Sequence, residues 1–214
     1  MYLAGQLLLE IGVFAVATVL VGRLSAEALA AHQIVLTVAA TTFMVPLGLS
    51  AAAAVAVGQA IGRRDPAAAR RAGWLALGLG AAIMLGTSAV FFTVPDALVR
   101  LFTHDAGVLA IGVPLFWLAA VWQVFDGVQV VATGVLRGTG DTRTPMLANL
   151  VAHWGIGLPV GWALCFGRGL GAPGLWMGLS LGLAGVALLL LAAWTRTRDA
   201  WSQAPTLTRR RAAV

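Results

Sequence analysis

Two acidic residues interrupt long apolar runs in this sequence, and they are the first candidates for chemistry. Glu10 lies within the apolar residues 7–14, and Asp126 lies within the apolar residues 121–128. An ionisable side chain at bilayer depth costs roughly 2.5–3.5 kcal/mol on insertion scales, so a membrane protein keeps one where a cavity, a partner or a proton accommodates it. We therefore predict a functional site that contains both carboxyl groups.

Polar side chains recur around Asp126 at spacings of three and four residues. This spacing places them on one face of a helix, while valines occupy the opposite face. A polar stripe with a carboxylate at its centre is typical of a hydrated cavity. The alternative is a buried hydrogen-bond network between helices, in which a neighbouring side chain satisfies the carboxylate. The stripe consists of Trp122, Gln123, Asp126, Gln129 and Thr133.

A second polar pair lies in the first apolar run, where Gln6 and Glu10 are four residues apart and share a helix face. If Glu10 and Asp126 line one cavity, burial and mutual repulsion allow a proton or another cation to compete for the pair. A cationic substrate and a coupling ion would then exclude each other, which is the physical requirement for exchange. We predict that Glu10 and Asp126 bind the coupling cation, either a proton or sodium.

Asn149 and His153 form a weaker candidate pair, again four residues apart. A histidine titrates near neutral pH, which suits a role in proton transfer. A polar pair of this kind more often bonds to a neighbouring helix, so both interpretations stay open. The candidates for contact with the cavity or its substrate are Trp122, Gln123, Gln129, Asn149 and His153.

Tryptophan is abundant, with 8 residues. Rings near Asp126 and on the fifth apolar run, such as Trp117 and Trp162, could offer flat faces to a hydrophobic cation. Tryptophan is also enriched where a membrane meets water. On that basis we expect Trp176 and Trp194 at the membrane interface, together with His32 near the start of the second run.

The composition indicates which kind of secondary structure positions these side chains. Hydrophobic residues make up 60% of the 214 and charged residues 10%, and the mean hydropathy is +0.91. These values predict an all-α, polytopic membrane protein. We expect six transmembrane helices to form one lobe over residues 1–194, followed by a basic cytoplasmic tail over residues 195–214. The six apolar runs are residues 2–21, 31–61, 72–94, 107–134, 145–166 and 174–194.

The distribution of the arginines predicts how this bundle is oriented in the membrane. There is no lysine, and all but three of the 14 basic residues fall in residues 62–71, residues 135–144 or the C-terminal tail. The positive-inside rule then places both termini in the cytoplasm and requires an even number of spans. We expect a multi-pass protein of the inner membrane, surrounded by lipid, with Arg137 in a cytoplasmic segment.

Several other classes of protein are disfavoured. The net charge of +6 is spread over short segments, which argues against a nucleic-acid partner. The sequence has no zinc-protease, hydrolase or nucleotide-binding motif and only one cysteine, so we predict no enzyme activity, no cofactor and no structural metal. The first apolar run lacks a basic start and contains Glu10, so we expect it to remain in the mature protein.

Several motifs in this sequence resemble those of the multidrug and toxic compound extrusion (MATE) family of transporters. The most specific is LAAVWQVFDGVQ at residues 118–129, followed by GVLRG at residues 134–138. The resemblance extends over almost the whole chain. The other matching segments are residues 10–16, 29–34, 46–50, 57–59, 154–159 and 171–176.

The resemblance implies a twelve-helix, two-lobe transporter of which this chain supplies the C-terminal six helices. It also implies cation-coupled antiport of small hydrophobic or cationic compounds, in which Glu10 and Asp126 match the family's coupling acids. Some relatives have a tyrosine one turn before the aspartate, where this chain has Trp122, which lacks an oxygen ligand for sodium. The second lobe would be either a missing N-terminal half or a homodimer partner.

Two alternatives remain at this stage. A lipid-linked oligosaccharide flippase of the same superfamily would bind a pyrophosphate, for which a strongly basic cavity is expected. A non-transporting membrane assembly protein would use the polar stripe only to hold a partner.

Overall fold

The computed structural model describes the backbone of residues 2–202 and the side chains of residues 5–6 and 8–197. In this part of the chain every regular element is a helix. We number the helices α1 to α7 in chain order. They are α1 (Tyr2–Val21), α2 (Ala26–Gly62), α3 (Pro66–Thr93), α4 (Pro95–Arg100), α5 (Ala106–Gly138), α6 (Arg143–Gly167) and α7 (Gly171–Ser202).

Short polar residues fix where the long helices begin. The backbone N–H of Ala28 donates to Ser25 Oγ at 3.1 Å at the start of α2, and Asp65 and Asp105 cap α3 and α5 in the same way. Each cap satisfies a backbone donor that the first helical turn leaves without a partner. Two of the acids outside the apolar runs therefore have a structural role at helix starts.

The helices reproduce the predicted fold class. Five of them, α2, α3, α5, α6 and α7, are long and apolar enough to cross a membrane, and α1 contributes a shorter apolar stretch at Leu8–Val21. These six correspond to the six apolar runs of the sequence. The short helix α4 lies between α3 and α5, where Arg100 Nε contacts Asp96 Oδ2 at 2.5 Å and both side chains are exposed.

Two predicted boundaries differ from the structure. Helix α5 continues past residue 134 to Gly138, so Arg137 lies in its last turn rather than in a separate cytoplasmic segment. Helix α7 continues past the predicted lobe boundary at residue 194 to Ser202. The rest of the predicted tail, with its arginine cluster at residues 209–211, lies outside the described residues.

Helices α6 and α7 meet through glycines. A Cβ atom added to Gly178 would lie 2.2 Å from the Cα atom of Gly161, and one added to Gly182 would lie 2.9 Å from the Cα atom of Gly157. Such distances mean that the two backbones touch with no side chain between them, as small residues at four-residue spacing permit in membranes. We call Gly157, Gly161, Gly178 and Gly182 the glycine seam.

Candidate functional site

A cavity of about 520 Å³ lies between α1, α2 and α5. Its walls are mostly apolar, and its polar groups come from one face of α1 and one face of α5. The polar and charged lining residues are Gln6, Glu10, Thr18, Asp126, Gln129, Thr133 and Arg137; the aromatic ones are Phe14, Phe43 and Trp122. One cavity therefore contains both carboxyl groups singled out in the sequence.

The two carboxyl groups lie well away from the ends of α1 and α5 at which Gln6 and Arg137 line the cavity. Helices α1 and α5 run in opposite directions, so the start of α1 and the end of α5 are at the same side of the lobe. At 1.5 Å per residue, Glu10 lies about 12 Å from the start of α1 and Asp126 about 18 Å from the end of α5. Glu10 is half-buried, whereas Asp126 is only 3% exposed. Both acids are thus at membrane depth, on facing helices.

Arg137 is a lining residue that the sequence analysis missed. It was expected in a separate segment after the helix because the apolar run ends at residue 134, but the polar face of α5 continues beyond that point. Arg137 follows Thr133 by four residues and so continues the face of α5 that contains Asp126 and Gln129. The four-residue spacing between Thr133 and Arg137 is the sequence feature that could have predicted this position. The arginine gives the cavity a positive charge at the end where α1 begins and α5 ends.

Gln123 belongs to a different environment from the rest of the stripe. It is fully buried, and its Nε2 donates to Thr42 Oγ1 at 2.5 Å. Thr42 in turn donates to the backbone oxygen of Ala39 at 2.8 Å. For Gln123 the structure therefore matches the alternative interpretation, a hydrogen bond between helices α5 and α2, and Gln123 is not among the cavity's lining residues.

Asn149 and His153 also lie outside the cavity lining. Both are buried in α6, where Leu150–Gly157 forms wide π-helical turns. The His153 ring packs against Phe14, with 6.4 Å between the ring centroids, and Phe14 itself lines the cavity. His153 is therefore one layer behind the cavity wall, and neither residue of the pair lines the cavity.

Aromatic rings packed edge to face form the part of the cavity wall next to Asp126. Phe14 meets Trp122 edge to face at a centroid distance of 5.9 Å, and Trp122 meets Trp176 at 6.0 Å. Trp117 and Trp162, which were candidates for contact with a cation, are about half exposed on the outside of the lobe instead. Of the tryptophans considered, Trp122 offers its ring to the cavity.

Three residues expected at the membrane interface are buried. His32 is 0% exposed, and Trp176 and Trp194 are buried as well. Burial against neighbouring helices does not fix a position along the membrane normal, so the location of these residues at the interface stays a prediction. His32 is bonded on both sides, to Trp176 Nε1 through Nδ1 and to Thr18 Oγ1 through Nε2, each at 3.1 Å.

Comparison with known proteins places this architecture in a family. The sequence model of the MatE family matches residues 3–163, about three quarters of the chain. The chain belongs to the MatE family. This confirms the resemblance seen in the sequence motifs, and the match includes both Glu10 and Asp126.

Two relatives of this MatE chain have names that report drug resistance. It is 51% identical over 179 residues to the multidrug resistance protein NorM of Burkholderia vietnamiensis. The aligned region covers 81% of this chain and 38% of NorM. It is 43% identical over 199 residues to a probable multidrug resistance protein NorM of Mesorhizobium japonicum, covering 91% of this chain and 43% of the relative. The chain thus spans less than half the length of these curated relatives.

Solved structures agree with this assignment. The eukaryotic MATE transporter AtDTX14 is 26% identical and superimposes with a TM-score of 0.83 over 90% of this MatE chain and 43% of its own. A MATE structure in the bent conformation, 19% identical, shares the fold with a TM-score of 0.85 over 94% of this chain and 45% of its own. The chain therefore has the fold of one lobe of a two-lobe MATE transporter.

Proposed function

We propose that this chain forms one lobe of a multidrug efflux transporter that exchanges hydrophobic organic cations for protons or sodium ions across the inner membrane. The observation that carries the proposal is the single cavity at membrane depth in which Glu10 and Asp126 lie on facing helices. Its size suits a small molecule, since ligand pockets typically span about 300–1,000 Å³. The names of the NorM relatives, which report multidrug resistance, support drug efflux.

The exchange follows from the charges of the cavity. Glu10 and Asp126 attract a cation, and a proton or sodium ion bound there removes that attraction for a cationic substrate. Trp122 and Phe14 add aromatic faces, which attract organic cations by about 0.5–2 kcal/mol each. Gln129 and Thr133 supply further oxygen atoms beside Asp126. A gradient that drives the coupling ion inward would therefore displace the substrate from the carboxylates.

The cavity charges favour this proposal over transport of an anionic lipid precursor. Among the described lining residues, two carboxyl groups face a single guanidinium group, that of Arg137. A pyrophosphate in the cavity would meet both carboxylates, and repulsion between like charges in a site of low dielectric is costly. An assembly protein without transport would have no need for a cavity of this volume at membrane depth.

A second six-helix lobe completes the proposed transporter. The MATE structures to which this chain is similar are about twice as long as the matched region. The second lobe is supplied either by the same polypeptide or by a second copy of this chain. Experiments on transport accordingly use the natural protein in which this chain occurs.

Transport driven by an ion gradient tests the proposed function. The purified natural protein is reconstituted in liposomes, and uptake of a fluorescent ethidium-like cation is followed after a pH gradient, a sodium gradient or no gradient is imposed. We expect accumulation with one of the two gradients and none without. Flux of an anionic lipid precursor with indifference to the organic cation would favour the flippase, and the absence of any flux would support the assembly protein.

The orientation of the lobe can be tested by labelling with cysteine reagents. The native Cys165 is 2% exposed, so it provides a low background. In the proposed orientation Leu101 (78% exposed) faces the outside and the exposed residue Ala67 faces the cytoplasm. We expect a membrane-impermeant maleimide to label Leu101→Cys in intact cells and Ala67→Cys only after the membrane is opened. The reverse pattern would refute the cytoplasmic location of both termini.

A further inference from the structure

A chain of three hydrogen-bonding side chains runs from the interior of the lobe to the cavity. Trp176 Nε1 donates to His32 Nδ1 at 3.1 Å, and His32 Nε2 lies 3.1 Å from Thr18 Oγ1. Trp176 and His32 are buried, and Thr18 lines the cavity. The three residues come from α7, α2 and α1.

The chemistry of these groups fixes the direction of each bond. An indole N–H can only donate, so His32 Nδ1 must accept and carries no proton. A neutral imidazole then has its proton on Nε2, which must donate to Thr18 Oγ1. A doubly protonated His32 would point an N–H at the indole N–H, and two facing donors cannot form a hydrogen bond.

The hydroxyl group of Thr18 can donate one further hydrogen bond. Because Oγ1 accepts from His32, its own hydrogen is free to donate, and Oγ1 makes no other hydrogen bond with any residue that the structure describes. Thr37 and Thr41 behave differently, because each donates to a backbone oxygen one turn earlier on its helix. Thr18 therefore presents a hydrogen-bond donor to the cavity.

The position of Thr18 along the cavity defines where this donor acts. Thr18 lies eight residues beyond Glu10 on α1, about 12 Å along the helix axis, and so lies towards the opposite end of the cavity from Gln6. The neighbouring lining residues at this end are apolar, among them Phe14, Leu36 and Ala39. The other donor near this end is the indole N–H of Trp122, which has no hydrogen-bond partner among the described residues.

We propose that Thr18 is a substrate-binding residue that selects organic cations carrying a hydrogen-bond acceptor, such as a carbonyl or ether oxygen, at the end remote from the cationic centre. His32 and Trp176 are positioning residues, which hold the Thr18 hydroxyl group in its donating orientation. The inference rests on the proposed function, because the cationic end of the substrate is placed at the carboxylate of Asp126.

A pair of matched ligands tests this assignment. The first is an aryl-alkyl trimethylammonium ion, and the second is the same ion with a ketone oxygen at the aryl end, away from the nitrogen. Binding of both to the purified natural protein is measured by calorimetry, and the ratio of their two Kd values is compared between variants. The ratio cancels any general loss of affinity.

We expect Thr18→Val, which has nearly the same shape but no hydroxyl, to weaken binding of the ketone by about 10-fold and to leave the acceptor-free cation unchanged. Thr18→Ser should retain the preference. His32→Leu should lose it, because the hydroxyl group is then free to donate to its own helix backbone, whereas His32→Gln keeps one donor and one acceptor and should preserve most of it.

The outcomes separate this inference from the proposed function. Equal losses for both cations in Thr18→Val, or no change for either, would overturn the role of Thr18 while leaving the antiporter intact. Failure of the unaltered protein to bind either cation would overturn the proposed function and the role of Thr18 together. A selective loss for the ketone supports both.

Discussion

Replacing Asp126 with asparagine, or Glu10 with glutamine, is expected to slow ion-driven transport severely. Each change keeps the size of the side chain and removes the charge that a proton or sodium ion would neutralise. Removing one charge from a buried, interacting set costs about 2–5 kcal/mol, so we expect a loss on the order of 100-fold in the rate of gradient-driven uptake. Uptake by reconstituted protein is the measurement.

Asp126→Asn should cause the larger loss, because Asp126 is almost fully buried while Glu10 is half-buried. The matched controls are Asp96→Asn and Glu27→Gln, which remove exposed carboxylates outside the cavity. Asp96 pairs with Arg100 at the surface, and such pairs contribute only about 0–1 kcal/mol. Both controls should transport normally.

Folding must be separated from coupling in this experiment. Each variant is first shown to elute as a single species in size-exclusion chromatography, so that a loss of expression does not count as a loss of coupling. Transport that survives in both Asp126→Asn and Glu10→Gln would show that these carboxyl groups do not bind the coupling ion.

The second large effect is expected at the glycine seam. In Gly178→Ala the added methyl group would lie 2.2 Å from backbone atoms of Gly161, and a backbone cannot rotate out of the way as a side chain can. Overpacking in a tight core typically costs about 1–3 kcal/mol, and we expect the upper end of that range. The measurement is the apparent Tm of the detergent-solubilised protein, which should fall by several degrees.

Gly78→Ala is the control for this prediction. A Cβ atom at Gly78 would meet no atom within 4 Å, although the residue lies within the transmembrane helix α3. Alanine favours a helix over glycine by about 1 kcal/mol, so this variant should be unchanged or slightly more stable. Equal behaviour of the two variants would contradict the close contact of α6 and α7.

The sequence predicts the transmembrane helices of this lobe well, because the bilayer imposes a length and an apolar character that can be read from one chain. It predicts the end of α5 less well, because a helix can carry Arg137 beyond the hydrocarbon once its last turn is reached. Hydropathy marks where the membrane ends, whereas backbone hydrogen bonds decide where the helix ends.

In the candidate site, too, the sequence predicts some features and not others. Glu10 and Asp126 stand out from the sequence because a carboxylate in an apolar run is costly wherever it lies. His32 could not be placed in this way, since its environment depends on Trp176, which is 144 residues away in the chain. Gln123 has the same helical spacing as the cavity residues, yet it faces Thr42, because the packing of α2 against α5 decides which edge of the stripe is open.

The glycine seam also determines which parts of the lobe can move. Two helices in backbone contact have no side chains between them that could repack, so α6 and α7 form a fixed frame. Any change in the width of the cavity must then come from α1, α2 and α5. Trp154 of α6 donates to the backbone oxygen of Leu9 at 3.0 Å, which fastens α1 to this frame one residue before Glu10. We therefore expect the turn that carries Glu10 to stay in place when the rest of the cavity wall moves.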